Sequence, residues 1–229
     1  MPAAVLWDMD GTLVDTEPYW IAAGTELVLE HGGEWSHEDA LAVVGAGLGW
    51  SARRMQRRGV PLSEDEIVEQ LTDRVWDRIA EFGIPFRPGA IELLMELRDA
   101  DIPTALVTMS LRRMALYVAD RMGFSGFDVV VGGDDVAHSK PHPEPYLRAA
   151  SLLAVNPFDC VAIEDSLPGV QSASAAGCYV IGVPLMVPLD DAPADIMWPT
   201  LAGKSTADLV AALAAGHGAH RAGTARAMG

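Results

Sequence analysis

The stretch Asp8-Met9-Asp10-Gly11-Thr12-Leu13-Val14-Asp15, set directly behind the apolar run Ala3-Ala4-Val5-Leu6-Trp7, constrains this chain more than any other feature. A run that short reads as a buried strand rather than a helix. Two carboxylates therefore leave the carboxyl end of a strand on alternate residues, with a glycine turn directly behind them. In an open α/β sheet that edge is where ligands bind. Acids so close repel one another, and a bound cation with oxygen ligands, Mg2+ in the common case, relieves the repulsion. One acid is then able to act as a nucleophile and its neighbour as a proton donor.

The pattern downstream changes once. Residues 17–83 read as helix with breaks: a first helix carrying Trp20, Leu27 and Leu29 ends near Gly32-Gly33, and Ser36 caps a short second one with Asp39 at the capping-box position. A third covers 51–58, and Ser63 caps a fourth with Glu66 three residues on. Short connections between four helices predict a small bundle. From Pro85 helices and strands alternate: helices at 90–98, 111–122, 143–153 and 167–176, strands at 103–108, 128–131, 160–163 and 179–183. Such alternation predicts a parallel sheet with helices on both faces. The expected fold is thus α/β, a Rossmann-like core of residues 1–16 and 85–215. A four-helix segment, 17–84, is inserted after its first strand. The Ala/Gly/His/Arg-rich stretch 216–229 lacks periodicity and is expected to be a mobile tail.

Composition closes off several classes of partner. The net charge of -16 opposes a nucleic-acid or anionic-membrane surface. No apolar stretch reaches the ~18 residues of a membrane helix. The N-terminus has no basic stretch followed by an apolar one, so no signal peptide is expected. Cys160 and Cys178 are too few and too far apart for a disulfide framework or a four-ligand zinc site, and read as core thiols in a reducing cytoplasm. Lysine is scarce, with Lys140 and Lys204 standing against fourteen arginines.

Three further groups fall at the carboxyl ends of predicted strands. Thr108 ends Ala105-Leu106-Val107 and precedes Met109-Ser110; Lys140 opens a helix in Ser139-Lys140-Pro141; Glu164-Asp165 ends Val161-Ala162-Ile163. A hydroxyl, a cation and two more acids around one edge suit phosphoryl transfer. A metal and a lysine neutralise the phosphate, a hydroxyl and backbone N–H groups orient it, and a carboxylate attacks in line.

Asp8-x-Asp10-Gly11-Thr12-Leu13-x-Asp15, Thr108, Lys140-Pro141 and Glu164-Asp165-Ser166 match, in order, the four motifs of the haloacid dehalogenase superfamily, which this chain resembles from residue 3 to about 185. The resemblance implies that Asp8 is the nucleophile, forming an aspartyl-phosphate, and that Asp10 is the general acid and then base for the attacking water. Thr108, Met109 and Lys140 would hold the phosphate. Asp165 would bind Mg2+ with Asp8 and the Asp10 carbonyl, supported by Glu164, and the inserted helices would form a cap. The superfamily's dehalogenases lack an acid at the position of Asp10, and its phosphonate-cleaving members need a cap lysine. No lysine lies between residues 1 and 139. The chain thus looks like a phosphate enzyme, and it resembles the branch holding β-phosphoglucomutase and the sugar-phosphate and phosphoglycolate phosphatases.

Asp15-Thr16-Glu17-Pro18 reads like the phosphatases of that branch. The mutases carry a histidine where this chain has Trp20 and an arginine near Leu48; both are missing here, with Arg53 or Arg54 as substitute cations. A phosphatase is favoured, a phosphomutase is the alternative, and a non-catalytic phosphate-binding scaffold is a third reading. The expected partner is a small phosphorylated molecule, with no nucleic acid and no membrane, and the chain working as a monomer or weak homodimer.

Other features have plainer readings. In Gly45-Ala46-Gly47-Leu48-Gly49 the third glycine of a dinucleotide fingerprint should fall at Trp50, which rejects that motif. As a cap loop, Gly47 and its neighbours would select substrates, or else only connect two helices. Arg53, Arg54, Arg57 and Arg58 form like-charged i,i+4 pairs and read as a solvated face, with Arg53 or Arg54 candidates for gripping an anionic leaving group. Trp20, Trp50 and Trp76 read as core, Trp20 being the best candidate for substrate contact. Asp15 reads as a turn anchor, Asp134 and Asp135 as loop caps, and His138 and His142 as solvated. His217 and His220 are assigned nothing.

Overall fold

The computed structural model describes the backbone of residues 1–227 and the side chains of residues 1–216. Strand β1 (Ala4–Trp7) is buried along its whole length, as its unbroken apolar run requires of a central parallel strand. Around it β2 (Thr104–Val107), β3 (Val129–Val131), β4 (Cys160–Glu164), β5 (Tyr179–Gly182) and β6 (Ile196–Met197) form one parallel sheet in the order β3-β2-β1-β4-β5-β6. Trp7 pairs with Leu106 on one side and Ile163 on the other. That register brings Asp8, Thr108, Glu164 and Asp165 out at the same edge.

Side chains alternate across the sheet and found a core on each face. Val5 and Trp7 pack into one cluster with Leu93 and Leu94 of α5 (Ala90–Asp99) and Met114 and Val118 of α6 (Arg112–Ala119). Ala4 and Leu6 pack into the other with Tyr146 and Ala149 of α7 (Glu144–Leu152) and Val170 and Ala173 of α8 (Leu167–Ala175). Both cysteines are buried free thiols.

Between β1 and α5 run α1 (Glu17–Glu30), α2 (His37–Leu41), α3 (Leu48–Arg57) and α4 (Glu64–Phe82). The capping boxes expected at Ser36/Asp39 and Ser63/Glu66 are both formed. Leu27, Met55, Ile67 and Leu71 bury the apolar faces of these helices in a cluster continuous with one face of the sheet. The chain enters and leaves this layer through two segments that pair with each other: Asp15 N–H donates to the Pro85 carbonyl (2.8 Å) and Arg87 N–H to that of Leu13 (3.0 Å).

Two elements escape the sequence pattern. Strand β6 has only two residues, too few for periodicity. Helix α9 (Thr206–Ala227) begins near the end of the expected core and continues into the stretch expected to be a mobile tail, whose backbone is helical as far as Ala227. Alanine's high helix propensity carries a segment that lacks an apolar period. Residues 228–229, and the side chains of His217 and His220, lie outside the described residues. Among the described residues no helix is long and apolar enough to cross a membrane.

Candidate active site

The Lys140 ammonium is the hub of the sheet edge. It donates to Asp8 Oδ1 at 2.6 Å, to Glu164 Oε1 at 2.6 Å and to the Val107 carbonyl at 3.0 Å. An ammonium has three donors, so all are engaged. Tyr146, from α7, donates its hydroxyl to the same Glu164 oxygen at 2.5 Å. Asp165 accepts from Thr12 Oγ1 at 3.2 Å. The turn behind the strand requires glycine: Gly11 has φ +89, and a Cβ there would lie 2.0 Å from Asp165 Oδ2.

Asp8, Glu164 and Asp165 are all buried, and one oxygen from each lies within 4.8 Å of the others. Burial and the neighbouring Glu164 charge push the Asp8 carboxyl up to about 8, with Lys140 pulling the other way. Burial and the Asp8 charge raise Asp165 likewise. For Lys140, burial alone would lower its affinity for the proton, but Asp8 and Glu164 hold the ammonium above its ordinary value. Three buried acids face one ammonium, and Asp8 Oδ2 and Asp165 Oδ2 are buried with no hydrogen-bond partner. Orphaned, mutually repelling carboxylate oxygens are the donor set a hard divalent cation binds. The residues present therefore fit Mg2+.

Asp10 is held differently. Thr16 Oγ1 (2.6 Å) and Trp20 Nε1 (2.8 Å) donate to its Oδ1, and Thr108 Oγ1 (3.2 Å) and Ser110 Oγ (2.7 Å) to its Oδ2. Trp20 thus acts on Asp10 directly, through the one donor an indole has. Trp20→Phe keeps a ring and removes that donor. A hydrogen bond to a charged acceptor is worth about 1.5 kcal/mol or more, so kcat is expected to drop roughly tenfold with little change in KM. A change confined to KM would instead make Trp20 a substrate contact.

A cleft of about 640 Å3, part of it open to solvent, lies between this edge and the helical layer. Asp8, Asp10, Thr108, Met109, Ser110 and Lys140 line it from the sheet edge, and Glu17 and Trp20 line it from the first turn of α1. Met109 also accepts the Lys140 backbone N–H on its sulfur at 3.3 Å. Glu17 is buried, and burial first, then the charges of Asp10, Asp8 and Asp15, push its carboxyl up to about 8. A value raised above the ordinary 4.5 means that Glu17's contribution to stability is complete below pH 4.5 and lost as pH rises through about 8. Glu17→Gln copies the protonated form. Its thermal midpoint, measured in EDTA, is therefore expected to exceed the parent's at about pH 9 and to converge on it at about pH 5. An unchanged difference across that range would refute the burial argument.

The remaining candidates scatter. Gly45, Ala46 and Leu48 line the cleft, whereas Gly47, the N-cap of α3, sits against the core loop: a Cβ on Gly47 would lie 2.6 Å from Ser139 Oγ, and one on Gly45 2.3 Å from Ser166 Cβ. Arg53 and Arg54 do not line the cleft, which corrects their candidacy as grips on an anionic leaving group. Arg53 pairs with Glu64 at 2.7 Å on the surface, and Arg54, with Arg58, pairs with the buried Asp39, each at 2.7 Å. Asp134 and Asp135 bind Arg112 and the Gly132 N–H, as loop caps do. His138 and His142 stack beside Glu144 at the surface.

Sequence reasoning missed Tyr146 and Arg87. The Arg87 guanidinium is buried and donates to the carbonyls of Gly11 (2.6 Å), Val183 (2.8 Å) and Pro184 (3.4 Å). It joins the turn behind Asp10 to the end of β5. Its isolation in the sequence, beside Pro88-Gly89 and away from the other arginines, was the one available signal.

A parallel sheet with an acid pair, a buried lysine and a divalent-cation donor set at one edge defines an α/β protein able to bind a metal and a phosphate there. The model of the haloacid dehalogenase-like hydrolases matches residues 2–177, and the chain belongs to that family. Hexitol phosphatase A of Escherichia coli (strain K12) is 36% identical over 191 residues, covering 83% of each chain. Phosphoglycolate phosphatase of the same strain is 30% identical over 236 residues, covering 93% of each. Among solved structures, a point mutant of CbbY from Rhodobacter sphaeroides in complex with xylulose-(1,5)bisphosphate matches with a TM-score of 0.82 at 30% identity, covering 91% of this chain and 99% of that one. The β-phosphoglucomutase of Clostridium difficile shares the fold, with a TM-score of 0.81 at 23% identity over 93% of this chain and 97% of its own. With phosphatases as its relatives in sequence, the chain is a phosphomonoester hydrolase.

Proposed function

We propose that this protein hydrolyses a small phosphomonoester, a sugar phosphate or a phosphoglycolate-like acid, with Mg2+ and through an aspartyl-phosphate on Asp8. The observation that carries this is the division of labour between two acids lining one cleft. Asp8 is anchored by Lys140 through one oxygen and has no partner on the other, while Asp10 is fixed by four donors.

In the first half-reaction an Asp8 oxygen attacks phosphorus in line. The bond from phosphorus to the alcohol oxygen breaks, and that oxygen takes the proton of Asp10. In the second half the Asp10 carboxylate takes a proton from water, whose oxygen attacks the same phosphorus; the Asp8 carboxylate is restored and inorganic phosphate leaves. The Thr108 hydroxyl and the backbone at Met109 hold the phosphate oxygens, and the Lys140 ammonium, held on Asp8 and Glu164, supplies positive charge beside them. Asp8, Asp165 and the Asp10 carbonyl would hold Mg2+, with Glu164 beside them steadying Lys140. The metal, when bound, neutralises charge on the phosphate oxygens. Residues 17–84 serve as a cap over a core of residues 1–16 and 85–215 extended by α9, and the cap keeps bulk water from the cleft.

The test is inorganic phosphate release from sugar phosphates, phosphoglycolate and nucleotides, with Mg2+ and with EDTA. Release is expected to fall by about 100-fold or more in EDTA and to return with excess Mg2+. Full turnover in EDTA would overturn the metal assignment. Phosphate moving between hydroxyls with none set free would replace the phosphatase by a phosphomutase.

A further inference from the structure

Among the described residues, two groups place metal-ligating atoms within 4.8 Å of one another. One is the buried acid set of Asp8, Glu164 and Asp165. The other is His138, His142 and Glu144, which takes no part in the chemistry above and differs in kind, with two imidazoles and one carboxylate. His138 and His142 flank Lys140 in the chain, and Glu144 opens α7.

The loop is a fixed platform for these side chains. The Lys140 N–H donates to the Met109 sulfur at 3.3 Å and Ser172 Oγ to the His142 carbonyl at 2.6 Å, which ties the backbone to the sheet edge and to α8. The Glu144 carboxylate accepts from the N–H groups of Ala137 (2.8 Å) and His138 (3.0 Å), and is thereby held beside both rings. Those rings lie nearly face to face, with centroids 4.5 Å apart and planes 30° from parallel.

The Nδ1 atoms of His138 and His142 stand 2.7 Å and 4.0 Å from the same oxygen, Glu144 Oε2. A tetrahedral zinc with bonds of about 2.0–2.1 Å spaces its donors about 3.3 Å apart, between those two distances. Ring side chains 64% and 50% exposed can turn by that much while the backbone stays in place. The cost is small. His142 Nδ1 gives up a 3.2 Å hydrogen bond from the Glu144 N–H. The close contact of His138 Nδ1 with a carboxylate oxygen needs a proton between them, and a metal takes that proton's place.

Donor chemistry keeps the two groups apart. Three carboxylates suit a hard cation, whereas imidazole suits Zn2+, Ni2+ or Cu2+ and has little to offer Mg2+. We propose that His138, His142 and Glu144 form a second metal site, which takes one borderline divalent cation, Zn2+ above all, with water in the fourth position. The bound metal clips the loop that carries Lys140 to the first turn of α7.

The test is calorimetric titration with Zn2+ of protein stripped by EDTA and returned to excess Mg2+. Losing even an outer partner of a metal ligand weakens binding about 10–100-fold. His138→Gln and His142→Gln are therefore each expected to lose one equivalent of Zn2+ relative to the parent, or to bind it about 100-fold more weakly. Raising Mg2+ by about tenfold is expected to leave that equivalent in place. Zn2+ is also expected to raise the parent's thermal midpoint by more than that of either variant. Both rings are exposed, so both variants are expected to fold, which far-UV circular dichroism checks. Equal binding by the three proteins would put the Zn2+ on the acid set or elsewhere in the chain and overturn the proposal. So would a parent that binds no Zn2+ beside Mg2+.

Discussion

Asp8→Asn is expected to lower kcat by on the order of 10⁴-fold or more. The amide keeps the shape of the carboxylate but offers phosphorus no anionic oxygen, so no covalent intermediate forms. Binding of the phosphate is retained in large part, because Lys140, Thr108 and the backbone at Met109 are untouched. The fold is retained as well. Lys140 keeps Glu164 at 2.6 Å and the Val107 carbonyl at 3.0 Å, and one of three crowded acids is removed. Acid-quenched mass spectrometry after mixing with substrate is expected to show a phosphoryl adduct on the parent and none on the variant. An Asp8→Asn protein that still turned over at the parental rate would dismiss Asp8 as the nucleophile.

Lys140→Met is expected to do more damage, since it strikes stability and turnover together. Asp8, Glu164 and Asp165 are buried around this ammonium, which accepts the desolvation cost only because it is paired on two sides. Removing one partner of a buried ion pair costs about 3–5 kcal/mol, because the charges left behind are uncompensated. Urea unfolding in EDTA is expected to show a loss of that size, and Mg2+ to raise the midpoint of the variant more than that of the parent. Lys140→Arg is expected not to rescue activity, because a planar guanidinium cannot aim three donors at two carboxylates and a carbonyl within the space of an ammonium. A Lys140→Met protein as stable as the parent in EDTA would show that the acids are neutralised by some other means.

These effects were foreseeable for residues whose roles are written locally. The acids of the first strand, Thr108, Lys140 and the Glu164-Asp165 pair each follow an apolar run, and a parallel sheet delivers every such run to the same edge. The parallel sheet with helices on both faces followed from the same alternation, though its strand order did not, and Ser36 and Ser63 announced their helices by capping chemistry three residues long. What stayed hidden depends on contacts across long separations. Tyr146 reads as an ordinary apolar position of α7 until the sheet sets it against Glu164. Glu17 looks like a first-turn acid at a helix N-terminus, a favourable place for it, until the helical layer closes it into the cleft. Arg53 and Arg54 erred in the opposite direction: their spacing offered cations to the site, but Glu64 and Asp39, from neighbouring helices, already hold them. Helix α9 escaped notice because its alanines shape the backbone by propensity without an apolar period.

Arg87 stands where the exit from the helical layer meets the floor of the sheet. Its guanidinium reaches the Gly11 carbonyl within the turn behind Asp8 and Asp10 and two carbonyls at the end of β5. Four residues before it, Gly83 ends α4 with φ +88, a conformation that glycine adopts without strain. In mechanical terms Arg87 is a bolt. The loop that presents Asp8 and Asp10 is thereby fastened to the end of the sheet where the helical layer joins it.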